Sequence, residues 1–269
     1  MIDALEGGLL TNQPRSSLEI LSPTDSRRFS LSKSRSMLSL APEYFQRVLS
    51  YDQMDFQYAC SQMVSLCRNP SSVYKSTKLR KQIKNQWARD DPAFVVIVLY
   101  FMSISAISFS IAFGFVSSWH FCRLVLSAVF FDFVGIGTVI ATAGWYIANN
   151  YMKVHRVLTV SQSVEWLYAF DVHCNAFFPV YILLYVLQFY LSPFLLLKTF
   201  SATIAADSLY LLAFAYYHYV SFLGYNALPF LQNTQCFLYP LFIAIPLYIL
   251  ALLFRINLSY LFLHFYFGK

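Results

Sequence analysis

Two aspartates sit where a charge is costly. Asp132 falls near the middle of an apolar stretch over 121–148, and Asp207 falls early in another over 202–223. At the centre of a membrane-crossing helix an acidic side chain costs about 2.5–3.5 kcal/mol on the insertion scale, so each should face the protein interior. A pair of intramembrane carboxylates can hydrolyse a peptide bond, relay a proton or cation, or hold a buried hydrogen bond. Aspartyl proteolysis is disfavoured, because Gly135 and Gly137 follow Asp132 instead of leading into it as Gly-x-Gly-Asp. A structural hydrogen bond is the leading expectation. A small transporter or channel using Asp132 and Asp207 is the alternative.

The other reactive side chains form no constellation. His120, His155, His173, His218 and His264 include no i, i+4 pair and share no cysteine motif, so no metal centre is expected. Cys60, Cys67, Cys122, Cys174 and Cys236 contain no C-x-x-C, which argues against a disulfide framework. Neither a nucleophile elbow nor a phosphate-cradling glycine loop occurs, so the expectation is a non-enzymatic protein without a cofactor. Serines stand beside basic residues at Ser30, Ser34 and Ser36, a pattern that basophilic kinases read, although a solvated linker explains it more simply.

The elements that must position these residues are read from composition. Hydrophobic residues make up 58% of the 269 positions and charged residues 12%, where a soluble domain carries about a quarter charged. Five apolar stretches run over 93–116, 121–148, 176–197, 202–223 and 236–254. Each has about the 20 residues that a helix needs to cross a hydrocarbon core of about 30 Å. With no water at that depth, continuous apolar runs select helices. The predicted fold is therefore an all-α polytopic membrane protein with about five transmembrane helices in the domain 93–269. Gly137, Ala141 and Gly144 give the second span a small-residue face for close helix approach. Two inter-span loops are expected on the amino-terminal side, a longer one over 149–175 and a shorter, uncharged one over 224–235.

Upstream, residues 1–42 are polar and aperiodic and are expected to be a disordered cytosolic tail. Residues 43–92 form a juxtamembrane region. Its first half is an amphipathic helix over 43–68, with Phe45, Val48, Leu49, Phe56, Ala59, Cys60, Met63 and Leu66 at helical spacing and Asn69-Pro70 ending it. Its second half, K-S-T-K-L-R-K-Q-I-K-N-Q-W-A-R-D-D-P, should meet anionic lipid, with Asp91 and Pro92 starting the first span. Dispersed cations without a recognisable module allow only weak RNA association.

Charge sets orientation. Lys75, Lys78, Arg80, Lys81, Lys84, Arg89, Lys153 and Arg156 lie on the side of the amino-terminal flank, against Arg123, Lys198, Arg255 and Lys269 on the other. The excess predicts a cytosolic amino terminus, and five crossings then leave the carboxyl terminus lumenal.

Four islands carry a family likeness: Gln53-Met54-Asp55-Phe56; K-Q-I-K-N-Q-W-A-R-D-D-P-A-F over 81–94; V-E-W-L-Y-A-F-D-V-H-C-N-A-F-F-P over 164–179; and F-L-G-Y-N-A-L-P-F-L over 222–231. They resemble the UNC-fifty (UNCL) family of multi-pass Golgi membrane proteins, across about residues 43–260. The resemblance implies a Golgi protein with a cytosolic amino terminus, the endoplasmic reticulum and inner nuclear membrane being alternative compartments. It further implies a link to surface delivery of nicotinic acetylcholine receptors, whose subunits would be cargo, to Arf guanine-nucleotide exchange factors, and to RNA binding in a mammalian member. All four islands lie in or beside segments expected in the cytosol. Lys81, Lys84, Trp87, Arg89, Asp90 and Asp91, with Glu165, Trp166, Asp171 and His173, are therefore the expected partner-facing set. The competing reading is that the islands are interfacial caps and packing contacts that define the fold.

Overall fold

The computed structural model describes residues 54–114, 118–154 and 162–267. The expectations for 1–42, for Ser30, Ser34 and Ser36 and for the start of the amphipathic helix lie outside them. The described elements are α1 (Phe56–Arg68), α2 (Pro70–Lys84), α3 (Ala93–Ala112), α4 (Ser118–Leu126), a π-helical segment Ser127–Gly135, α5 (Ile136–Tyr151), α6 (Trp166–Tyr181), a second π segment Ile182–Leu187, α7 (Gln188–Leu195), α8 (Phe200–Asn226), a 3₁₀ turn Thr234–Leu238, α9 (Pro240–Leu253) and α10 (Leu258–Phe267).

Four continuous helical stretches are long and apolar enough to cross a bilayer: Ala93–Ala112, Phe121–Tyr151, Trp166–Leu195 and Thr234–Leu253. The fifth expected span lies within α8, the longest helix at 27 residues. At 1.5 Å per residue it reaches about 40 Å. Asp207, His218 and a run of tyrosines lower its hydropathy. It tolerates them because α6, α7, α9 and α10 all pack on it, so its surroundings are protein more than lipid. By contrast α9 buries none of its residues and presents Phe242, Ile243, Leu247 and Leu253 outward.

One sequence expectation about a loop needs correction. The last ten residues of the long loop expected over 149–175 are helix, since α6 starts at Trp166. Asp171, His173 and Asn175 interrupted the apolar pattern there, yet all three are buried against neighbouring helices. As the sequence predicts, α1 ends at Asn69-Pro70: it stops at Arg68, and Asn69 at φ −151° and ψ 80° leaves the helical region before a second helix begins. Pro70 takes the first position of α2, where its missing N–H costs nothing, and α1 and α2 become a hairpin.

The apolar runs assign no element after the last span. There α10 turns back into the bundle and packs on α7 and α8. Asn257 begins it by accepting from Tyr260 N–H at 2.9 Å and donating to the Leu195 carbonyl at 2.7 Å. Asp207 Oδ1 accepts the Leu258 N–H at 3.0 Å, a carboxylate at the positive end of the helix. At the far end the Tyr266 hydroxyl donates to Asp132 Oδ1 at 2.8 Å.

Candidate functional site

Arg89 organises the amino-terminal face of the bundle. It follows α2 by one short turn: Asn85, at φ 55°, caps that helix in the left-handed region and releases the chain toward α3. Its side chain is 7% exposed. Nη1 donates to Gln62 Oε1 of α1 at 3.1 Å, Nη2 donates to Asn175 Oδ1 of α6, and Nε lies 3.7 Å from Asp171 Oδ1. Its backbone N–H donates to Asp171 Oδ2 at 2.5 Å, and its guanidinium lies 4.2 Å from the centroid of Phe94 on α3. A planar five-donor group suits such a junction where an ammonium would not. Three helices and an ion pair meet on one side chain.

The rest of the face is built outward from this junction. Trp87 packs edge-on to Tyr168 and against Phe230, each at 6.2 Å, and the Tyr168 hydroxyl donates to the Gly224 carbonyl at 2.7 Å. Gly224 also lets Val172 of α6 pack against α8, since a Cβ there would lie 2.7 Å from Val172 Cγ2. Asp91 works at both ends of the α1–α2 hairpin: Oδ2 accepts the Asp55 N–H at 2.9 Å and Oδ1 accepts the Ala93 N–H at 2.9 Å, starting α3. Asp55 in turn caps α1 through Tyr58 N–H at 2.8 Å. Across the face the 152–154 and 230–232 segments pair, Val154 N–H to the Phe230 carbonyl at 3.0 Å and Gln232 N–H to the Met152 carbonyl at 2.8 Å. The four islands thus form one plate. On α2, burial pushes the Tyr74 hydroxyl well above its ordinary pKa, so it stays protonated within the plate.

The expected partner-facing residues divide sharply. Trp87, Arg89, Asp171 and His173 are buried. His173 Nδ1 meets the Tyr217 hydroxyl at 2.9 Å among Phe133, Phe170 and Phe177. Lys84 stays at the surface in an ion pair with Asp90 at 2.7 Å, and Gln86 also donates to Asp90. Half-exposed Glu165 accepts the Ala88 N–H at 3.4 Å, and Trp166 stacks on Phe170 while donating to Thr142 Oγ1 at 3.0 Å. Lys81 is half-buried above Trp87. Sequence reasoning missed Gln62 and did not assign a role to Asn175. The signal for Asn175 was its i+4 spacing from Asp171, which means a shared face once that stretch is helical.

The intramembrane aspartates do not converge. Asp132 lies in the first π segment and also accepts from Tyr185 of the second, at 3.3 Å. Asp207 is 1% exposed near the start of α8. Each holds one end of α10. Among the described residues no group of three or more His, Cys, Asp and Glu side chains is arranged to hold a metal.

Residues 44–267 match the model of the UNC-50 family. The chain belongs to the UNC-50 family. It is 51% identical over 230 residues to the unc-50 homolog of Dictyostelium discoideum, covering 85% of this chain and 88% of that one. The Bos taurus unc-50 homolog is 40% identical over 259 residues and 95% of both chains, and the Homo sapiens one 42% over 228 residues, 83% and 86%. No solved structure matches the chain significantly. The matched UNC-50 region starts just ahead of the α1–α2 hairpin and runs through α10, so plate and membrane bundle together make up the family domain.

Proposed function

We propose that this protein is a non-enzymatic Golgi membrane adaptor that assists assembly and surface delivery of multisubunit receptors of the nicotinic acetylcholine type. It does so by presenting its amino-terminal plate to Arf guanine-nucleotide exchange factors in the cytosol. The family likeness supplies the cargo and partner classes. The observation that supports the mechanism is the Arg89 junction, which ties its own island to the 164–179 island and to α1, while Asp91, Trp87 and Tyr168 tie in the other two. A partner meeting a surface held in this way loses little entropy in ordering it.

The contact residues within this reading are Lys84, Asp90, Glu165 and Trp166, which remain at the surface once the plate is built. Arg89, Trp87 and Asp171 act indirectly, by holding it. Lys84→Glu with Trp166→Ala is expected to abolish exchange-factor capture and reduce receptor delivery while protein abundance stays normal. Capture at the wild-type level by that variant would defeat the assignment. Asp132 and Asp207 each bond α10 through Oδ1 and do not converge, so a shared transport path through the two gains no support.

A further inference from the structure

We propose that a groove in the plate binds the phosphorylated inositol headgroup of an anionic membrane lipid. The groove has a volume of about 310 Å³, with Lys78, Lys81 and Gln82 of α2 on one wall and Gln162 on the other. Trp87, Ala227 and Pro229 supply its apolar part. Its charged lining is wholly cationic. Lys78 and Lys81 are the charged residues on that lining, and no carboxylate is among them. Ammonium groups bind phosphate oxygens by charge-assisted hydrogen bonds. The two carboxamides match ring hydroxyls, and the apolar part matches the face of a cyclic polyol.

Lys81 is ordered in advance. Its Nζ donates to the Asn85 carbonyl at 2.7 Å and lies 5.6 Å from the centroid of Trp87. The left-handed conformation of Asn85 aims that carbonyl, so the αL cap of α2 doubles as a positioning device.

The lipid, as opposed to a soluble phosphate, is indicated by place. Ala227 directly follows the last residue of α8, and Trp87 stands six residues ahead of α3, so the groove borders the start of a helix long and apolar enough to cross a bilayer and the end of α8 packed beside the others. On the outer side of α2, Leu79 and Ile83 are 57% and 73% exposed. They lie one turn apart, beside Lys75 and Lys78. Apolar side chains flanked by lysines suit a helix at the boundary between headgroups and acyl chains. Lipid capture at Lys78 and Lys81 is separable from partner recruitment at Lys84 and Trp166.

The test is calorimetric titration of the full-length chain, purified in detergent, with short-chain phosphatidylinositol phosphate. Saturable binding is expected, with phosphatidylcholine of the same chain length inert and soluble inositol phosphate weaker than the lipid. Lys78→Ala with Lys81→Ala should weaken binding by about tenfold or more. If that pair compromises folding, Lys78→Glu at its exposed position carries the same expectation. Undiminished binding by the variants, or equal binding of phosphatidylcholine, would overturn the site. Soluble inositol phosphate binding as tightly as the lipid would overturn the membrane source. An acidic peptide that binds the groove where the lipid does not would also overturn the proposal, giving the surface to a protein ligand.

Discussion

Arg89 and Asp171 form a buried ion pair, and its value lies in the consequences of breaking it. Removing one member leaves the other charge uncompensated, at about 3–5 kcal/mol. Arg89→Met should therefore lower thermal stability in detergent sharply, while Arg89→Met combined with Asp171→Leu should recover only the part due to the uncompensated charge, since the Arg89 N–H, Gln62 and Asn175 still lose their partners. Single variants that melt with the wild type would show that the pair is not the junction described. Gly137 supplies a second test. A Cβ there would run into the imidazole of His173, and His173 is held by Tyr217 and three phenylalanines. Gly137→Ala is expected to cost about 1–3 kcal/mol through overpacking. Adding His173→Ala should remove the clash, so the double variant loses less than the sum of the two.

At the scale of elements, α10 is the least anticipated part of the fold. Both of its attachments are carboxylates on other helices, and a π segment carries one of them. Asp132→Leu deprives the Tyr185 and Tyr266 hydroxyls of their acceptor, about 1–3 kcal/mol for each buried group. Asp132→Asn keeps an acceptor and should keep α10 in place. Thiol labelling at Ser259→Cys reads this directly, since Ser259 is 0% exposed. With the exposed cysteines replaced, labelling should be slow in the otherwise native chain and in Asp132→Asn, and fast in Asp132→Leu. The same packing predicts that Asn257-Leu258-Ser259 carries no glycan, because Asn257 Nδ2 donates to the Leu195 carbonyl. A mobility shift on endoglycosidase treatment would contradict it.

For the whole molecule, the predicted sidedness follows from the excess of cations around α2. Lys75 and Arg255 are both exposed and should lie on opposite sides of the bilayer. In sealed vesicles with the cytosolic face outward, Lys75→Cys is expected to react with an impermeant maleimide at once, and Arg255→Cys only after permeabilisation. Equal reactivity before permeabilisation would overturn the five-crossing arrangement and, with it, the cytosolic placement of the plate.

The apolar runs by themselves determined the helical membrane class, four of the spans and the small-residue face at Gly137, Ala141 and Gly144, because those properties depend on transfer from water and on local spacing. Packing decided the rest. Asp171, His173 and Asn175 read as a polar loop, since one-dimensional hydropathy cannot register that a charge has found its counter-charge 82 residues away. Likewise nothing in the apolar runs assigns an element after the last span, although Asp132 and Asp207 hold α10 in the bundle. A polar side chain reports its cost in the sequence. Its partner, which decides whether that cost is met, becomes visible only when distant segments come into contact.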